Sequence, residues 1–137
     1  MTLLNTVGIV YLVNRWAGDA EGVRDENLGL DCVARWEDVL SLGEQQRLSL
    51  ARMFFHQPNF AVLDECTSAV SVDVEQKLYA SAHAAGTSCV TISQRLSLPE
   101  FHRRELRVGV NNERGWSLDA VTTVSYTHLT LPTICSV

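Results

Sequence analysis

At 137 residues the chain is long enough for one domain with a real core and too short for two. Its 46% hydrophobic and 20% charged content is that of an ordinary soluble globular protein. A formal net charge of -5 and a pI near 5.3 exclude the electrostatic footprint of a nucleic-acid or anionic-membrane binder.

Leu3 to Asn14 is mostly apolar and predicts a helix. It contains the longest strongly apolar run, Val7 to Val13, which falls far short of the roughly 20 residues that span a bilayer. Ala17 to Asp31, rich in Gly, Asp and Glu, reads as a solvated loop or an irregular helical stretch. Arg35-Trp36-Glu37-Asp38 leads towards a helix from about Gly43 to His56, with Leu48, Ala51 and Phe55 on one face. Pro58 ends that helix, because the residue before a proline is pushed out of the helical region. Asn59 to Leu63 is a short apolar run bounded by Pro58 and Asp64, the pattern of a strand buried on both faces.

Asp73 to Ala85 predicts a helix with Val74, Leu78, Ala82 and Ala85 on one face and a stop at Gly86. Ser88 to Ile92 is a second β-rich run, so 59–92 forms a βαβ unit whose strands pair in parallel by default. Glu105 to Val110 and Gly115 to Leu118 suggest two short strands with a turn at Asn111-Asn112. The four cysteines (Cys32, Cys66, Cys89, Cys135) include no C-x-x-C pair, and the four histidines show no ligand spacing. Cys66 and Cys89 read as small buried hydrophobes.

Two short segments carry chemistry. Ser41-Leu42-Gly43-Glu44 has the form of a capping box, in which the serine and the glutamate each satisfy an orphan helix amide. The same helix start is also suited to an anion, since its free N–H groups and its dipole point outward and Gly43 permits close approach. Asp64-Glu65 closes the NFAVL strand, and the carboxyl ends of parallel strands are where α/β folds place ligands. Such a pair is either a metal-and-water site or two surface acids beginning a turn. Arg103-Arg104 reads as a solvated pair, and no arrangement of nucleophile and base can be drawn from spacing.

In combination these segments resemble the ATP-binding-cassette (ABC) ATPases. VLSLGEQQRLSLAR, residues 39–52, looks like their signature segment, with Leu42 standing where the first glycine usually sits. FAVLDE, residues 60–65, looks like their Walker B element, and Cys66 to Ser71 stands where they carry the D-loop. DECTSAVS resembles the peroxisomal fatty-acyl half-transporter subfamily in particular, as do WEDVLS and the stretch Leu98 to His102. The phosphate loop has no counterpart, because the single lysine, Lys77, lies in no Gly-x-x-x-x-Gly-Lys-Ser/Thr context.

The resemblance implies an α/β fold: part of a P-loop-type ABC ATPase domain, with a parallel βαβ core, a helical signature segment and no Walker A portion. It implies ATP and Mg²⁺ as cofactors, with Asp64 holding the metal through water and Glu65 polarising the attacking water. Ser41, Leu42, Gly43 and Glu44 would meet ATP across a dimer, and Ser68, Ala69, Val70 and Ser71 would contact the partner domain. Gln94 stands where the family places a histidine beside the γ-phosphate. Its amide still donates a hydrogen bond but carries no proton near neutral pH, which implies impaired hydrolysis with binding retained.

The expected partners are a second nucleotide-binding domain and the transmembrane domain of a parent half-transporter, at the cytosolic face of a membrane, with the peroxisome as the implied organelle. Residues 1–38 are expected to be part of a helical subdomain and 39–123 the C-terminal part of the nucleotide-binding domain. Residues 124–137, which include VSYTHLTLPT, resemble the translation of a sequencing adapter and are set outside the fold, and Met1 is read as internal to a longer frame. Such a piece is expected to be catalytically inert alone. Two other roles fit the same motifs: a regulatory, non-hydrolysing ABC subunit, and a soluble ABC ATPase of DNA repair or chromosome maintenance.

Overall fold

The computed structural model describes residues 2–17, 29–110, 113–121 and 133–136. The expected loop over 17–31 lies largely outside the described residues, as do the Asn111-Asn112 turn and most of the 124–137 tail. Among the described residues the chain opens with helices α1 (Thr2–Thr6), α2 (Tyr11–Trp16), α3 (Trp36–Val39) and α4 (Leu42–His56). Strand β1 (Phe60–Asp64), helix α5 (Val72–Ala84) and strand β2 (Ser88–Ser93) follow. A 3-10 turn (Leu98–Phe101) then leads to β3 (Arg104–Val108), β4 (Trp116–Ala120) and β5 (Thr133–Ser136).

The single helix expected over 3–14 is two. Gly8 adopts φ +70, a left-handed conformation open to glycine without steric cost, and the chain turns there between α1 and α2. The turn drives Val7 and Ile9 into the core, at 1% and 0% exposure.

Strands β1 and β2 pair in parallel, with Leu63 opposite Thr91 and Asp64 opposite Ile92, as the βαβ expectation requires. The rest of the sheet is antiparallel, so the parallel core is one pair within a mixed sheet of order β1-β2-β5-β3-β4. Connection length accounts for the β3–β4 pair, a hairpin closed by the Gly109 amide on the Gly115 carbonyl at 2.8 Å, which only antiparallel strands permit. Residues 133–136, within the segment set outside the fold, lie between β2 and β3.

Two burial expectations change. β1 alternates, with Ala61 and Leu63 inward and Phe60 and Val62 exposed at 78% and 72%, because it is an edge strand covered on one face. On α4 the inward face is Glu44, Leu50, Ala51 and Phe54, whereas Leu48 and Phe55 point outward. One apolar cluster joins Val7, Ile9 and Leu12 to Leu50, Phe54, Leu63, Leu78, Tyr79, Cys89 and Leu98. Residues before and after 38 therefore share a single core. Cys89 is buried and Cys66 packs against the same cluster, both as free thiols.

Candidate functional site

The site grows from three places in the chain: the start of α4, the turn after β1, and the loop after β2. At the start of α4 the capping box is complete. Ser41 Oγ accepts from the Glu44 amide at 3.4 Å, while Glu44 Oε2 accepts from the Ser41 amide at 2.8 Å. Glu44 then does more than cap. Its Oε1 accepts from the Tyr11 hydroxyl at 2.7 Å and from Arg15 Nη2 at 3.0 Å, which ties α2 to α4. The Tyr11 hydroxyl, then the Ser41 amide, hold the Glu44 carboxyl at a pKa of about 2. This carboxylate faces inward, so of the four residues expected to meet ATP it is the one spent on the fold. Leu42 is 60% exposed at the helix tip.

Gly43 has a reason within the chain itself. A Cβ there would stand 2.7 Å from the Ala69 carbonyl oxygen, so the tip of α4 rests directly on the turn after β1. That turn carries Asp64, exposed at the end of β1, and Glu65, whose φ of +46 is left-handed for a non-glycine residue. Strain of this kind costs about 1–2 kcal/mol and persists only where neighbours over-determine it. Here they do. The Glu65 amide donates to the Ile92 carbonyl at 2.9 Å, and its carbonyl accepts from Gln46 Nε2 at 2.9 Å. Ser93 Oγ reaches Glu65 Oε2 at 3.4 Å.

Ser68 and Ala69 are exposed on the same turn. Gln46 grips both, donating to Ser68 Oγ at 2.8 Å and accepting from the Ala69 amide at 2.9 Å. The Val70 amide closes on the Thr67 carbonyl, and Ser71 is the N-cap of α5, its carbonyl accepting from Glu75. Gln94 is exposed, one residue past Ser93. The fold therefore brings Gly43, Glu65, Ser68–Val70 and the Ser93-Gln94 loop into one neighbourhood.

Sequence reasoning missed Gln46, Thr67, Glu75 and Arg95. Glu75 is fully buried and accepts from Thr67 Oγ1 at 2.6 Å and Ser97 Oγ at 2.7 Å, with Arg95 Nη1 at 3.2 Å. The signal was present: Glu75 falls on the apolar stripe of α5 with Leu78, Tyr79 and Ala82, and a charge on such a stripe needs a partner. Cys66, beside Glu65, is no nucleophile at neutral pH, since burial pushes its thiol up to about 11.

The described residues gather no group of three or more His, Cys, Asp or Glu. Asp64 and Glu65 thus offer one or two carboxylates, which is what Mg²⁺ takes from protein when nucleotide phosphates supply other ligands. The residues present fit the metal side of a magnesium–nucleotide site and the dipolar helix end of another.

Residues 14–68 match the family model for the ABC transporter domain. An Arabidopsis thaliana protein described as "ABC transporter D family member 1" is 48% identical over 120 residues, covering 88% of this chain and 8% of that protein. The human "ATP-binding cassette sub-family D member 3" is 51% identical over 80 residues, covering 58% of this chain and 12% of its own length. The human "Lysosomal cobalamin transporter ABCD4" is 45% identical over 85 residues, covering 62% of this chain and 14% of its own length.

The chain is similar to ABC transporters, through the family match over residues 14–68 and through relatives that cover most of its length. Within that class its similarity lies with subfamily D. It spans only 8% to 14% of the length of the relatives described above.

Proposed function

We propose that this segment works as part of an ATP-hydrolysing module that acts in pairs and drives a membrane transporter. Asp64 holds Mg²⁺ through water, Glu65 orients the attacking water, and Gln94 contacts the γ-phosphate, all within one subunit. Ser41, Leu42 and Gly43 meet the nucleotide of a second nucleotide-binding domain, and Ser68 to Ser71 contact that partner. Bound with ATP, the metal neutralises phosphate charge. The observation that supports the proposal best is Glu65: a carboxylate at the end of a parallel strand, held left-handed at φ +46 beside Ser93 and Gln46.

In the full-length protein Glu65→Gln is expected to retain ATP binding and to lower turnover by at least about a hundredfold. Unchanged turnover would sink the assignment. On its own the 137-residue chain has no phosphate-loop lysine, and we expect it to be inert. Asp64-dependent ATP turnover by the purified chain would overturn that expectation.

The proposed setting is the cytosolic face of an organelle membrane, joined to a transmembrane domain, with fatty acids or fatty-acyl-CoA as cargo and the peroxisome as organelle. Relatives point to more than one setting, since one is described as lysosomal with cobalamin as cargo and another as chloroplastic. Among the described residues no helix is long and apolar enough to cross a membrane.

A regulatory, non-hydrolysing subunit is the second proposal. It is favoured by Leu42, exposed at the helix tip where the resemblance expects a glycine, and by Gln94 in place of an imidazole. Gln94→His in the full-length protein is then expected to raise turnover. No gain would argue against it.

A further inference from the structure

The turn after β1 is gripped from two sides. Gln46 holds it from α4. On the other side Arg95 reaches in from the loop after β2, where its Nη1 donates to the Thr67 carbonyl and to the Val70 carbonyl at 2.9 Å. The same nitrogen lies 3.2 Å from Glu75 Oε1. Glu75 is fully buried and is fixed in turn by the Thr67 and Ser97 hydroxyls. The Arg95 amide donates to Ser93 Oγ at 3.3 Å, and that hydroxyl reaches Glu65 Oε2. A single residue thus links the neighbours of Gln94 to both Glu65 and the exposed turn Ser68–Val70.

We infer that Arg95 is a positioning residue that latches the Gln94 loop to the Thr67–Val70 turn, so that a shift at one displaces the other. The inference rests on the assignment of Asp64 to Ser71 as nucleotide and partner contacts. The chemistry asks for arginine. The rigid guanidinium plane fixes one nitrogen, Nη1, against two carbonyls and a carboxylate at once, whereas a lysine ammonium is a compact, strongly hydrated point charge on a shorter, flexible stem. Lysine keeps the charge that Glu75 needs, so Arg95→Lys separates the latch from the burial of an unpaired ion.

The test is amide hydrogen exchange in the full chain, wild type against Arg95→Lys. The amides of Ser68 and Val70 bond to the carbonyls of Glu65 and Thr67, and that of Ala69 bonds to Gln46, so their protection reads the turn. Expected is a loss of protection of about tenfold at Ser68, Ala69 and Val70, with the β1–β2 ladder at Leu63 and Val90 unchanged. No change at the turn, or an equal loss in turn and ladder, overturns the latch. In the full-length protein the same variant is expected to lower kcat by about ten- to a hundredfold with KM for ATP held. A fall in both, or in neither, counts against positioning. Glu65→Gln is the control: if it leaves turnover intact the functional assignment fails, while the exchange result still judges the latch.

Discussion

Gly43 shows how one residue can satisfy two demands. Suitability for an anion at a helix tip was the reason visible in the sequence; contact with the Ala69 carbonyl is the reason visible in the fold. Gly43→Ala would force a Cβ to 2.7 Å from a backbone oxygen, which cannot swing away as a side chain could. It is expected to destabilise the chain by about 1–3 kcal/mol in urea unfolding. Glu44 answers to pH. Its folded pKa of about 2 lies below the ordinary 4.5, so its stabilisation is complete above the unfolded value and is lost as pH falls through the folded one. Urea midpoints are expected to fall between about pH 4.5 and 2, and to fall less in Glu44→Gln, which lacks the titrating group. His102 behaves in the related sense for a base. Buried neutral between the Leu98 carbonyl and Thr91 Oγ1, each 2.9 Å away, its pKa is lowered by desolvation, so it opposes folding as pH drops below the usual histidine range.

Helix α4 is defined at both ends by local chemistry. Ser41 caps its start, and Gln57 ends it in a left-handed conformation, φ 46, with its amide on the Met53 carbonyl just before Pro58. A non-glycine residue pays a steric cost there, so Gln57→Gly is expected to stabilise by about 0.5–1 kcal/mol, read as a rise in thermal midpoint. The ends were legible because caps and prolines are local signals. The face was not. Leu48 and Phe55 are apolar, yet the core lies on the side of Leu50, Ala51 and Phe54, and Glu44 shares that side because Tyr11 and Arg15 arrive from another helix. Strand β1 failed in the same way: FAVL is apolar throughout, and Phe60 and Val62 are exposed only because the core covers the other face of the strand.

One apolar core organises the described chain, and the sheet that flanks it ends in an exposed strand. Exposed Phe60 and Val62 on an edge strand make a template for pairing with another chain. Val62→Lys is expected to reduce self-association in light scattering while leaving the unfolding free energy, read by urea titration, within about 0.5 kcal/mol, since the side chain faces solvent. The sequence alone determined the strand–helix–strand order over 59–92, the capping box and the acidic pair at the strand end, because these are local patterns, and the parallel pairing of β1 with β2 follows from the crossover between them. Only the tertiary structure decided that Gln46 and Arg95 clasp the turn after β1, that Glu44 is spent on α2, and that Glu75 is a buried ion. Those contacts join residues 19 to 33 positions apart, and side-chain reach across a core is set by packing rather than by any local pattern.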